Sequence, residues 1–420
     1  MNIIKEKFIK KRISEETKFK LLLLYPISLI LSAFIFEHPT EINHGFKNII
    51  LSSDLLISDY LGIGGLGATL LNSGILGLFS LLLLKSNKVR ITGISIAALF
   101  TVMGFAMFGK NILNIIPVII GVKLYSIYQK EPLSKFIIVA LFSTALAPVV
   151  SQSILVFGYT NKGIFLAALI GILTGFIIPP VASHLLSSHQ GFNLYNIGFS
   201  AGLIGTLLMS LFRSYGIEYD KQLIWTTQYS QELRVPLLFY FLSMLLIGYL
   251  LNKESFKRLK KLWKRSGRIV TDFVTLDTFA VTLLNMGLMG LLYMLILTLI
   301  GSPLNGPTVG GLFTIVGFSA FGKHPFNTIP VICGVLLGSV TKIWGLSDPG
   351  LILALLFSTT LAPITGVFGS LSGLLAGFLH LSVVMNIGYL HGGLNLYNNG
   401  FAGGLVAIIL FPILDSLKKE

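Results

Sequence analysis

Two lysines stand in apolar sequence at matching places. Lys110 follows Gly104-Phe105-Ala106-Met107-Phe108-Gly109, and Lys323 follows Gly317-Phe318-Ser319-Ala320-Phe321-Gly322. Each precedes an asparagine and a proline, Asn114 with Pro117 and Asn327 with Pro330. An ammonium is expensive to hold in hydrocarbon, so it must face a cavity, a partner or the membrane surface. A symmetric pair of cations would draw an anionic or carbonyl-bearing solute. The competing arrangement is a Gly-Lys turn whose lysines reach opposite membrane surfaces. Asn114 and Asn327 would point amides into the gaps that the prolines open, or cap the same breaks.

Three further polar blocks recur in the same order. His189-Gln190-Gly191-Phe192-Asn193-Leu194-Tyr195-Asn196-Ile197-Gly198 returns as His391-Gly392-Gly393-Leu394-Asn395-Leu396-Tyr397-Asn398-Asn399-Gly400. Asn193, Tyr195, Asn196, Asn395, Tyr397 and Asn398 offer amide and hydroxyl groups without charge, as a solute pathway would; helix capping and interfacial anchoring by Tyr are the plainer reading. Ser143-Thr144 and Ser358-Thr359 each precede a Leu-Ala-Pro, and their hydroxyls would hold a solute or a sodium ion, or satisfy carbonyls freed by the proline. Asn72 and Asn285 lie inside apolar runs beside Gly74 and Gly287 and are placed to join helices by hydrogen bonds.

Other chemistries lack their residues. No G-x-x-x-x-G-K-[ST] loop for a nucleotide and no H-E-x-x-H zinc motif is present. The apolar runs hold almost no Asp or Glu, so a carboxylate proton relay is not expected. His184 and His380 have no counterpart in the other half. Gly198-Phe199-Ser200-Ala201-Gly202 matches a serine-nucleophile pattern, but its repeat, Gly400-Phe401-Ala402-Gly403-Gly404, has Ala in place of Ser. No enzymatic activity, cofactor or metal site is expected.

The elements that carry these blocks are membrane helices. Hydrophobic residues make up 54% of the 420-residue chain and charged residues 11%, with a mean hydropathy of +0.83. A soluble domain would carry about 25% charge. The formal charge of +14 would suit nucleic acid, but the positives cluster beside apolar runs, as the bias toward cytoplasmic Lys and Arg requires. The single cysteine, Cys333, leaves no internal disulfide. Basic residues before an apolar run imitate a signal peptide, but no A-x-A-like cleavage site follows, so the run at 20–36 reads as a retained span.

Apolar runs long enough to cross number about seven in each half. The first half has 20–36, 62–84, 91–108, 112–128, 134–157, 163–183 and 191–213; the second has 235–251, 273–300, 307–322, 326–344, 350–369, 370–390 and 393–412. The chain therefore divides into a cytoplasmic N-terminal segment 1–19, a first repeat 20–234 and a second repeat 235–420 with a basic loop 252–270. The loop after the first span is acidic in half one (Glu37, Glu41, Asp54, Asp59) and basic in half two (Lys253 to Arg268). Opposite charge at equivalent loops is what inverted insertion needs. The expected fold class is an all-α polytopic membrane protein with two inverted-topology repeats and Pro/Gly-broken or re-entrant helices, both termini being cytoplasmic at the cell membrane.

The Phe-Gly-Lys and Asn-Leu-Tyr-Asn-x-Gly-Phe blocks resemble those of an uncharacterised bacterial family of multi-span membrane proteins, over most of the chain. More distantly, Leu71-Asn72-Ser73-Gly74 and Tyr195-Asn196-Ile197-Gly198 are similar to blocks of urea channels, though the early block here lacks that family's Asn-Pro. The second resemblance implies passive permeation through a homo-oligomer. The expected function is a channel or facilitator for a small polar or anionic solute, in contact with lipid and not with nucleic acid. The rival functions are a sodium-coupled transporter of a small organic anion and an intramembrane enzyme or assembly factor.

Overall fold

The computed structural model describes residues 13–220, 222–268 and 271–418. The basic residues Lys5 to Lys11 of the expected N-terminal segment and Lys419 of the tail lie outside the described residues, as do residues 269 and 270 of the basic loop.

The protein is built from helices. Half one runs α1 (Glu15–Phe36), α2 (Pro39–Leu51), α3 (Tyr60–Ser86), α4 (Gly93–Phe105), α5 (Ile112–Tyr128), α6 (Ile137–Ser143), α7 (Ala147–Phe157), α8 (Asn161–His189) and α9 (Asn196–Ser214). Half two runs α10 (Ser230–Leu251), α11 (Ser255–Leu262), α12 (Phe273–Leu276), α13 (Phe279–Leu299), α14 (Gly306–Phe318), α15 (Pro325–Thr341), α16 (Pro349–Phe357), α17 (Ala362–Phe368), α18 (Ser370–Ile387) and α19 (Asn398–Leu417).

Among the described residues, ten helical segments are long and apolar enough to cross a membrane. The other four expected crossings are short: α4 and α14 have 13 residues each, α5 and α15 have 17. At 1.5 Å per residue, 13 residues reach only ~20 Å, against a hydrocarbon core of ~30 Å. The expectation of fourteen full crossings is corrected accordingly. In each half the two short helices are joined through a turn at the Gly-Lys sequence. The stretches read as plain loops after α1 and α10 also contain helices: α2, with Pro39 in its first turn and Glu41 closing back on His38, and the basic α11.

The halves meet through equivalent helices. A Cβ on Gly93 would lie 2.1 Å from the Ala320 carbonyl oxygen, one on Gly104 2.6 Å from that of Gly310, and one on Gly306 2.3 Å from that of Met107. The start of α4 therefore faces the end of α14 and the reverse, so these sequence-equivalent helices run antiparallel. Backbones this close need glycine, and in lipid such packing supplies association that hydrophobic burial cannot. At a second crossing, a Cβ on Gly198 of α9 would lie 3.0 Å from the Gly400 Cα of α19.

Reciprocal caps reinforce the seam. Asp59 accepts from the Leu61 amide of its own helix and from the Gly306 amide at the start of α14, each at 3.0 Å. Its repeat counterpart Asp272 accepts from the Gly93 amide at the start of α4 at 2.7 Å. Each half thus lends a carboxylate to the positive end of the other half's short helix, a contact worth ~0.3–2 kcal/mol.

Candidate functional site

The breaks at the lysines are built by neighbouring side chains. Gly109 (φ +134°) and Gly322 (φ +103°) turn the chain where a side chain would be strained. Asn111 then caps α5, its Oδ1 accepting from the Leu113 and Asn114 amides, both at 3.0 Å. Asn114 and Asn327 reach back with Oδ1, accepting at 2.9 Å from the amides of Asn111 and His324. From α3, the Asn72 amide donates to the carbonyls of Ala106 (2.6 Å) and Lys110 (2.7 Å); from α13, Asn285 repeats this on Ser319 and Lys323, both at 2.8 Å. An Asn72→Leu variant strands two buried carbonyls, so it is expected to lose about 2–4 kcal/mol and to melt several degrees lower. A melting curve of the detergent-purified protein checks this.

Lys110 and Lys323 do not reach the membrane surface, which overturns the snorkelling arrangement: both are fully buried. Lys110 Nζ donates to Thr144 Oγ1 at 2.7 Å and to the Tyr397 hydroxyl at 2.6 Å. Lys323 Nζ donates to Thr359 Oγ1 at 2.8 Å and to the Tyr195 hydroxyl. Both ammonium groups also sit over aromatic rings, Lys110 4.6 Å from the Tyr397 centroid and Lys323 4.4 Å from that of Tyr195. Each lysine therefore bonds a tyrosine of the opposite half, and neither forms a salt bridge among the described residues.

Between these tyrosines lies a cavity of about 200 Å³. Repeat-related pairs line it: Phe105 with Phe318, Phe142 with Phe357, Tyr195 with Tyr397, Thr101 with Thr314, and Gly198 with Gly400. Thr101 Oγ1 is buried and has no partner among the described residues. A tyrosine oxygen that accepts from a lysine Nζ keeps its own proton to donate. The cavity thus offers aromatic walls and two O–H donors. Its lining is uneven: Ile94, Ile138 and Phe321 belong to it, while their counterparts Pro307, Leu353 and Phe108 are buried away from it. The cavity therefore extends toward the N-terminal end of α4.

Of the residues expected to line a pathway, Tyr195, Tyr397 and Asn196 border this cavity. Asn193 and Asn395 do not. They shape the turns before α9 and α19 and donate across the seam to the Gly400 carbonyl (3.0 Å) and the Gly198 carbonyl (3.3 Å). Asn196 and Asn398 bond His189 and His391 through Oδ1, and donate to the carbonyls of Ala182 and Val384 in the preceding helices. Ser143, Thr144, Ser358 and Thr359 donate to carbonyls of their own helices, Val139, Leu141, Leu355 and Leu356, where a 3₁₀ turn precedes the proline. Thr144 and Thr359 accept from the lysines as well. Asn327 donates to the Gly322 carbonyl at 2.8 Å.

Asn114 has a partner that inspection of the apolar runs missed. Its amide donates at 2.9 Å to Asp54, a carboxylate of the acidic loop after the first span that is fully buried beside the α4–α5 break. Asp59 is equally buried. A signal existed for Asp59: Asp59-Tyr60 and Asp272-Phe273 hold the same place in the two halves. None existed for Asp54, whose counterpart is Gly267.

The family model described as a protein of unknown function (DUF1576) matches residues 38–214 and again residues 251–416. The chain belongs to this family. No curated protein and no solved structure matches it. The two matches run from α2 to α9 and from the end of α10 to α19, so the family's recurring unit holds one lysine break and one Asn-Leu-Tyr-Asn block. Helix α1 stands outside both, as does nearly all of α10.

Proposed function

We propose that the protein is a multi-pass carrier for a small organic anion, held between its two halves. One observation carries this reading: two buried lysines without acidic partners, one from each half, stand behind the tyrosines of a shared cavity. Uncompensated cations are costly to bury and mark a place where negative charge arrives. The aromatic walls suit the solute's apolar body, and the tyrosine hydroxyls its carboxylate or similar group. At about 200 Å³ the cavity is smaller than the ~300–1,000 Å³ of pockets for drug-sized ligands. The solute passes without chemical change.

The antiparallel contact of α4 with α14, and the acidic and basic connections at equivalent places, support inverted insertion of the halves. By the positive-inside bias both termini face the cytoplasm, as does the N-terminal end of α4 toward which the cavity extends, because Lys85, Lys88 and Arg90 precede α4. Carriage would then proceed by exchanging which half packs tightly.

Flux into proteoliposomes tests the reading, with aromatic and aliphatic monocarboxylates and urea as solutes, each with and without a sodium gradient. Carboxylate entry that falls in Tyr195→Phe and Tyr397→Phe is the expected result. Rapid urea entry without carboxylate entry would return the protein to the neutral-solute channel suggested by the urea-channel resemblance. Strict sodium dependence would assign coupling to sodium.

A further inference from the structure

We infer that Asp54 is a proton-binding site that seals the face of the protein at the α4–α5 break, so that opening of this face, and with it carriage of the anion, is linked to proton release. The coupling rests on the carrier reading above; the seal itself does not.

Asp54 lies in the irregular segment 52–59 between α2 and α3. This segment is anchored along its length. The Leu56 amide donates to the Gly393 carbonyl, the Ile57 amide to Gln222 and the Asp59 amide to Ile224. It thereby covers the α4–α5 break at the C-terminal end of α4, opposite the end where Ile94 lines the cavity. The carboxylate is met only by donors. Oδ2 accepts from Asn111 Nδ2 (3.0 Å), Asn114 Nδ2 (2.9 Å) and the Ser151 hydroxyl, and Oδ1 from the Ser52 hydroxyl (2.6 Å) and the Tyr60 hydroxyl.

A bound metal ion does not fit this arrangement. Both asparagine amides are oriented by their Oδ1 atoms, which accept from backbone amides, so the groups turned to the carboxylate are N–H donors. The titratable groups that share its surroundings are Tyr60 on α3 and, farther off, Tyr159 after α7. Lys110, next to Asn111, directs its ammonium away to Thr144 and Tyr397.

Nor does closing the break require a carboxylate. At the equivalent place in half two stands Gly267, where a Cβ would lie 2.0 Å from the Gly322 carbonyl oxygen, and the backbone alone closes that break. The acid is an addition to one face.

Its sign follows from burial. Removal from water disfavours the charged form, and the five donors only partly offset this, so the carboxyl is pushed up to about 6 in the sealed protein. Released into water it would return to ~3.9. The sealed state therefore holds the proton more tightly than the open one. Acid favours the seal, and opening becomes easier as the pH rises through about 6. The proton leaves to water on the face that opens and returns from water when that face closes. While bound, it is donated to a hydroxyl oxygen of Ser52, Tyr60 or Ser151, which rotates to accept it.

The test places a thiol beside the acid, Ser53→Cys with Cys333→Ser, and follows labelling by a membrane-impermeant maleimide after correction for thiolate content. Labelling about tenfold slower at pH 5 than at pH 8 is expected; Asp54→Asn should remove the dependence, and Ser151→Ala should move the midpoint to higher pH. A flat profile in the Asp54 protein, or a full one in Asp54→Asn, would overturn the seal. Coupling is read separately: an imposed proton gradient should change carboxylate uptake in the Asp54 protein and leave Asp54→Asn unmoved. Uptake indifferent to the gradient in both would overturn the coupling. A pH-dependent profile in a protein that carries no carboxylate would instead retire the carrier reading and leave the seal standing.

Discussion

Lys323→Met, and Lys110→Met with it, is expected to stabilise the protein while removing its anion transport. Methionine matches the length of the aliphatic stem and needs no solvation. Burying an ammonium costs several kcal/mol, which two hydroxyl contacts and a cation–π contact only partly return. Thr144 and Thr359 keep their bonds to the Leu141 and Leu356 carbonyls, so only the tyrosine hydroxyls lose a partner. The net change expected is a gain of about 1–3 kcal/mol, read as a higher melting midpoint. Transport moves the other way. Losing the lysine bonded to one tyrosine donor should cost ~1.5–3 kcal/mol, or about 10–150-fold in apparent affinity, and the double variant should carry no measurable anion. A structural role predicts falling stability with transport preserved in whatever protein folds. Opposite movement of the two readouts is therefore the signature, and unchanged uptake with unchanged KM would sink the assignment.

Gly104→Leu should do the reverse, destroying the fold and the site together. The added Cβ would lie 2.6 Å from the Gly310 carbonyl oxygen and 3.1 Å from its Cα, and backbone cannot rotate aside as a side chain can. Separating α4 from α14 also pulls Gly93 from Asp272 and Gly306 from Asp59, breaking both reciprocal caps. Overpacking alone costs ~1–3 kcal/mol, and loss of the caps adds to it. The expected result is little or no monodisperse protein after detergent extraction. The control is Gly158→Ala, where no atom lies within 4 Å; its positive φ of +85° adds local strain, yet it should purify normally. Equal recovery of Gly104→Leu and the unsubstituted protein would mean that the antiparallel contact is not what joins the halves.

Much of the membrane architecture and the order of the two halves is legible in the amino-acid sequence, because lipid leaves few choices. An apolar run of sufficient length must be a helix, and a polar block that recurs in such a run must be satisfied in the same way twice. That is why the lysine pair, Asn72 with Asn285, and Tyr195 with Tyr397 stand out in the sequence and occupy equivalent places in the fold. The adjoining prolines mark the breaks at Ser143-Thr144 and Ser358-Thr359, but the hydroxyls bond the earlier carbonyls of Val139, Leu141, Leu355 and Leu356, while amides of Leu396 and Leu194 reach the Ala145 and Thr360 carbonyls.

The partners were not legible. Lys110 and Tyr397 are far apart in the chain, and no local rule states that each lysine crosses to the other half. The depth of the breaks was hidden too, since a run such as 91–108 has the composition of a full crossing, whereas α4 has only 13 residues. Asp54 was the largest loss. A polar connection outside an apolar run looks like solvent-exposed loop, and only the fold shows five donors gathered around it from segment 52–59, α3, α5 and α7, with Asn111 at the α5 cap. The sequence by itself determined what each half is made of, because helix formation and polar satisfaction in lipid are local. Tertiary structure decided which charges are buried, and against what, because that depends on how the two halves close on one another.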